Sequence, residues 1–311
     1  MACILAAQAI ATALKTNTVL TDLILTGKHI GDDGAIAIAD AVRSNPKSSL
    51  KYLHLTKNGL RARGATAIAE LLKVSTTLQS LFIVTQQGTS HLNNEADNLI
   101  GDEGMAAIAE ALKVNTALTV LCVTSNSVGD RGLASLAEAL KVNTVLAQID
   151  IHDNIIGASG ATALAEALKV NTGVSFLSIN FDADGVAAGI CATVFAEALK
   201  VNTALETLNL LFSNIRDVGA TAIAEALKIN TALKTLMLSF NQISDSGASA
   251  IAKAMEVNTV LISLHLDDDT LQDRGILDTI AESCRENASP ARLAAKKTLI
   301  ADNNLASRDE L

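Results

Sequence analysis

The segment Leu118–Thr144 reads LTVLCVTSNSVGDRGLASLAEALKVNT, and it contains two different hydrophobic periods. Its first half, headed by Leu118, Leu121 and Val123, alternates apolar and other residues over 121–123, which predicts a short strand with one buried face. In its second half Leu133, Leu136, Ala137 and Leu140 fall at helical spacing, with Glu138 and Lys141 on the outer side. Asp130 is placed as the N-cap of that helix. Asn143 stands where the helix must stop, a position at which asparagine tolerates the left-handed conformation.

The same pattern recurs along the chain. Units headed by Leu146, Val174, Leu205, Leu233 and Leu261 follow at steps of 28, 28, 31, 28 and 28 residues, and Leu20, Leu50 and Leu78 precede at steps of 30, 28 and 40. That makes about nine strand–helix units after an initial helical half-unit. A strand followed by a helix, repeated in one sense, forces parallel strands. Strands pack about 4.8 Å apart and helices about 8–10 Å apart. The expectation is therefore a curved α/β solenoid, a horseshoe with a concave parallel sheet and convex helices. Residues 1–288 are expected to form this single domain, and 289–311 a helical cap or tail.

Recurring columns add detail. The stop asparagine reappears as Asn17, Asn115, Asn171, Asn202, Asn230 and Asn258. Asn58, Asn126, Asn154 and Asn241 share a place just after the strand, where a buried amide can satisfy backbone groups of adjacent turns. Asp182, Ser213 and Asp269 replace it elsewhere. Phe181, Phe212 and Phe240 share the neighbouring place and predict a stacked aromatic spine. Glycines at 34, 64, 104, 132, 160, 219, 247 and 275 are expected in the strand-to-helix turns. Glu/Lys pairs such as Glu138/Lys141 read as weak surface pairs on the convex side.

Composition narrows the function. The chain has 311 residues, 49% of them hydrophobic but only 2% aromatic, and a formal net charge of −9. Such a charge argues against nucleic acid and anionic membrane surfaces as partners. Cys3, Cys122, Cys191 and Cys284 are far apart in sequence, which reads as free thiols in a reducing, cytoplasmic setting. The apolar N-terminus lacks a basic n-region, and its AIATALKTNTVL matches the later AIAEALKVNTAL, so it reads as a half-repeat. Arg308 to Leu311 spell RDEL, treated as a solvated tail in the absence of a secretory signal.

Together L-x-x-L-x-L, N-x-[IV]-x-D-x-G and A-x-[AL]-E-A-L-K-x-N-T resemble leucine-rich repeats of the ribonuclease-inhibitor-like subclass. The resemblance covers roughly residues 2 to 286. It implies a leucine-rich-repeat solenoid that serves as a protein-binding scaffold. Similar arrays occur in a GTPase-activating protein for Ran, in innate sensors and in bacterial effectors. A small-GTPase regulator, a bacterial effector or a sensor-type array are thus the alternatives. The mixed-charge end PARLAAKKTLIADNNLASRDEL differs from the acidic tail of the Ran activator, and no nucleotide-binding module precedes the repeats.

Catalytic and phosphate-binding motifs are lacking: the sequence holds no G-x-x-x-x-G-K-[ST], G-x-S-x-G or H-E-x-x-H. Histidines facing the concavity come from distant repeats, too far apart to share a metal. The expectation is a non-enzymatic scaffold without cofactor or metal, with monomer favoured. Asp267, Asp268 and Asp269 form an acidic edge.

Alternation across each strand places a partner surface. Tyr52, Phe82, Val84, Val120 and Cys122 form an apolar patch, flanked by His54 and by the polar Gln148, Asp150 and His152. The long 40-residue step inserts about twelve residues, QQGTSHLNNEAD at 86–97, beside that patch, and His91 of this loop joins the candidate contact set. A protein partner binding at these residues is the expected function.

Overall fold

A computed structural model describes residues 2–85, 96–182, 185–267 and 270–309. It divides into two compact units, Met1–Asp182 and Ala183–Leu311.

The first unit opens with helix α1 (Ala2–Leu14) and then alternates strand and helix: β1 (Asp22–Ile24), α2 (Gly31–Arg43), β2 (Tyr52–His54), α3 (Ala62–Leu72), β3 (Ser80–Phe82), α4 (Gly101–Leu112), β4 (Val120–Cys122), α5 (Asp130–Leu140), β5 (Gln148–Asp150), α6 (Ala158–Leu168) and β6 (Phe176–Ser178). Its strands pair in chain order, all parallel, with each central residue opposite the next: Leu23, Leu53, Leu81, Leu121, Ile149 and Leu177. The second unit holds α7 (Gly185–Leu199), β7 (Thr207–Asn209), α8 (Arg216–Leu227), β8 (Thr235–Met237), α9 (Asp245–Val257), β9 (Ser263–His265), α10 (Arg274–Ala288) and α11 (Pro290–Asp309). There β7, β8 and β9 are again parallel neighbours. Among the described residues nine parallel strands alternate with helices within the two units, as the repeat period of a leucine-rich-repeat α/β array predicts.

Each layer is thin because its core is aliphatic and small. Helix α5 buries Gly132, Leu133, Leu136, Ala137, Ala139 and Leu140. Alanines on that face let neighbouring helices approach, while Leu121 and Val123 fill the layer from the strand side, fully buried. Gly132 has a different role from the one its place in the sequence suggests. It lies inside the first turn of α5, not in the preceding turn, and an added Cβ would come 2.8 Å from Val128 and 2.9 Å from Asp102. The position demands close approach, not backbone freedom.

Two ladders of hydrogen bonds join successive layers. Asn143 is buried, and its Nδ2 donates to the carbonyls of Leu112 (2.7 Å) and Asn115 (3.1 Å) in the preceding repeat. Its Oδ1 accepts from the backbone N–H of Val145 and Leu146. Asn115 and Asn171 in this unit, and Asn230 in the second, repeat the scheme. So does Asn45, which the sequence pattern missed because Arg-Ser-Asn-Pro replaces Lys-Val-Asn-Thr there. The left-handed backbone expected at Asn143 is not observed; these asparagines serve as inter-repeat hydrogen-bond clips. The second ladder, after the strands, is as predicted: Asn154 Oδ1 accepts from the N–H of Asn126 and Val128, and its Nδ2 donates to Val123 and Ile151. Asn98, just beyond the insertion, takes the same place in the third repeat.

Aspartates form a third link. Asp130 does not cap its own helix, whose N-cap is Gly129. Its carboxylate accepts from Gly157 N–H (2.7 Å) and Ser159 Oγ (2.6 Å) at the start of α6, one repeat later. Asp32, Asp102, Asp217 and Asp245 act alike on the following repeat. Each carboxylate therefore satisfies orphan donors of the next helix and places negative charge at its positive end.

The aromatic column holds only in part. Phe181 is buried, whereas Phe212 and Phe240 are 56% and 54% exposed and stack on each other at 4.6 Å with rings 2° from parallel. Both occupy the left-handed position of the turn, φ 54° and 60°, which Lys57, Ser125 and Asp153 fill in the first unit. Of the acidic edge, Asp267 is exposed, and residues 268 and 269 lie outside the described set.

Candidate functional site

In the first unit Leu53 points into the layer, so Tyr52 and His54 project from the opposite face of the sheet. In-register pairing sets two rows across that face. One runs Asp22, Tyr52, Ser80, Val120, Gln148, Phe176; the other Ile24, His54, Phe82, Cys122, Asp150, Ser178. The sequence-derived candidates are thereby brought onto one surface, apart from His91, which lies outside the described residues.

The apolar end is the better defined. His54 and Phe82 stack at 4.0 Å with rings inclined by 22°. Burial lowers the His54 pKa, an effect that the nearby Asp22 carboxylate opposes. Tyr52 is 37% exposed, and Ile24, opposite His54 in the register, is 61% exposed. Alternation already placed Ile24 in this column; its exposure adds it to the patch. Val84 and Val120 are half-buried at the margin. Cys122 corrects the expectation. It is only 8% exposed, its Sγ lies 3.3 Å from Thr124 Oγ1, and it offers little contact area. Burial first, and then the Asp150 carboxylate, push the thiol up to about 11. A thiol so far from ionising is a poor nucleophile.

The other end is polar. Gln148 is exposed and Asp150 half-buried, with Asp150 Oδ1 accepting from the His152 N–H at 3.2 Å. His152 Nδ1 lies 3.0 Å from Asp153, whose backbone N–H donates to Asn180 Oδ1. Asp150 makes no ion pair among the described residues. Nor does any group of three or more His, Cys, Asp or Glu among them have the arrangement to hold a metal ion.

The insertion begins beside this surface. Thr85 Oγ1 donates to the Asn98 carbonyl (3.0 Å) and accepts from its N–H (2.8 Å), so the two feet of the segment are clamped together. Ala96 O accepts from Gly59 N–H, and Asp97 O from Arg61 Nη1. One consequence reaches the next layer. Asn126 Oδ1 is buried and has no hydrogen-bond partner among the described residues. The Asn98 N–H that would serve it in a regular repeat is turned to Thr85.

Five segments, residues 16–39, 47–69, 114–137, 201–224 and 230–252, match the leucine-rich repeat family. The chain therefore carries leucine-rich repeats. Among solved structures it is similar to actin-binding site 2 of leiomodin-1, with 20% identity and a TM-score of 0.40 over 64% of this chain and 95% of that one. It is also similar to the tropomodulin C-terminal domain of Caenorhabditis elegans, with 10% identity and a TM-score of 0.33 over 75% of this chain and 97% of that one. No curated protein matches the chain. Among the described residues, no helix is long and apolar enough to cross a membrane.

Proposed function

We propose that the chain is a non-enzymatic scaffold that binds a partner protein on the outward sheet face of its first unit. One observation carries the reading: Ile24, Tyr52 and the His54–Phe82 stack form adjoining, partly exposed apolar surface on the face of the sheet opposite the buried Leu23, Leu53 and Leu81. An apolar centre with aromatic anchors and a polar margin is the anatomy of a protein interface. Val84, Val120, Gln148, Asp150 and His152 supply the margin, and Cys122 supports from below. The helical halves A-x-x-E-A-L-K-x-N-T support placement in the ribonuclease-inhibitor-like subclass. The repeat domain is 1–288, with 289–311 as its cap. In support, the buried Lys296 Nζ of α11 donates to Met255 O at 2.7 Å, the kind of helix-end carbonyl that ladder asparagines take in earlier repeats.

The test compares proteins captured from a native lysate by the parent chain, by Tyr52→Ala/Phe82→Ala, and by Val142→Ala on another surface. The reading requires that a specific partner be lost with the double variant alone, at unchanged circular dichroism. Equal capture by all three removes the assignment. A GTP-hydrolysis assay with a panel of small GTPases tests the alternative; stimulation by the chain would replace the scaffold reading.

A further inference from the structure

The charges on this face are arranged as sharply as its apolar groups. Among the two in-register rows and the flanking Thr26, Thr56, Val84, Thr124, His152 and Asn180, no position is Lys or Arg. The acids are Asp22 and Asp150. Asp22 already accepts from Thr21 Oγ1 at 2.5 Å. Among the described residues Asp150 makes no ion pair: the neighbouring Asp153 is held by His152, and Cys122 and Ser178 flank it in the row. Such a half-buried carboxylate, two strands from an aromatic anchor, defines a two-point surface.

We propose that its occupant is an amphipathic helix of a partner protein. That helix would set an apolar side chain on Ile24, Tyr52 and Phe82, and an Arg or Lys two turns further on against Asp150. The inference rests on the protein-binding reading above. The spacing selects the helix. Two strand spacings separate Phe82 from Asp150 along the row, about 9.6 Å. Side chains seven residues apart on one helical face are about 10.5 Å apart. An extended segment repeats on one face every ~6.7 Å, so it falls short at two residues and overshoots at four. Charge complementarity selects the cation, and it raises specificity and association rate more than bulk affinity.

The test uses the full chain as bait for a phage-displayed helical scaffold randomised on one face. Selected binders are expected to carry an apolar residue and, seven positions away, Arg or Lys. Their affinity should fall about three- to tenfold with Asp150→Asn, which keeps an acceptor for the His152 N–H, and more with Asp150→Lys. Phe82→Ala should abolish binding. Binders lost with Phe82→Ala but indifferent to both Asp150 variants would overturn the two-point inference and leave the binding face standing. Binders indifferent to all three variants would overturn both. Enrichment of acidic residues at the seventh position would also overturn the inference.

Discussion

Excision of the insertion offers the most direct test of how the repeats are held together. In a regular turn one residue separates the threonine from the ladder asparagine, as in Thr124-Ser125-Asn126. Replacing residues 86–97 by a single Ser rebuilds that turn as Thr85-Ser-Asn98. The Asn98 N–H then returns from Thr85 Oγ1 to Asn126 Oδ1, the acceptor that lacks a donor among the described residues. A buried unpaired acceptor costs about 1–3 kcal/mol. Shortening a twelve-residue connection to one residue removes about 2 kcal/mol of closure entropy. Against these stand the bonds at Thr85 Oγ1, Ala96 O and Asp97 O, worth about 1 kcal/mol each where water does not replace them. The net expectation is stabilisation of up to about 2 kcal/mol, seen in calorimetry as a rise of about 2–4 °C per kcal/mol. Thr85→Val supplies the control. In the parent it strands the Asn98 N–H and should destabilise; in the excised chain it should be close to neutral, because that donor has moved. A lower melting temperature after excision, or faster hydrogen exchange at Asn98, would refute the diverted-donor account.

Other perturbations probe the ladders and the face. Asn143→Ala removes four hydrogen bonds from buried backbone groups and should cost about 3–5 kcal/mol in urea unfolding; an unchanged midpoint would deny the clip its role. Asp130→Ala should cost about 1 kcal/mol and speed hydrogen exchange at the start of α6, leaving α5 protected; the reverse distribution would restore it as a cap of its own helix. The Cys122 thiol is raised to about 11, so it should resist a disulfide reagent at pH 8 in the native chain. Its contribution to stability is complete below the ordinary thiol range and is lost as pH rises towards 11, because the unfolded thiol ionises first. His54 runs the other way. With its pKa lowered by burial, its contribution is present above the ordinary imidazole range and is lost as pH falls through the depressed value. Phe82→Ala should move the His54 titration, followed by NMR, upward; no movement would mean that the stacked ring is not what buries it.

The repeat period made the layers legible, and alternation within each strand named the residues of the inner face. It could not show which layer a polar side chain serves. Asp130 stands at the start of α5, where a local cap belongs, yet its acceptor oxygens reach donors 27 and 29 residues later. With a period of 28, a bond within a repeat and a bond to the next look the same in sequence. Depth was hidden for a related reason: Cys122 occupies the same column as the exposed Ile24, and alternation alone does not tell the 8% exposed thiol from the 61% exposed isoleucine. This separation has a functional consequence. The clips, the post-strand ladder and the aspartate caps bind mainly backbone, so they hold the layers together whatever stands in the outward columns. Those columns run from Ile24 to Asp150 through aromatic, thiol and acid without disturbing the register. A surface freed from the work of folding in this way can be set by the partner it meets, and the spacing from Phe82 to Asp150 is where that partner's shape should be read.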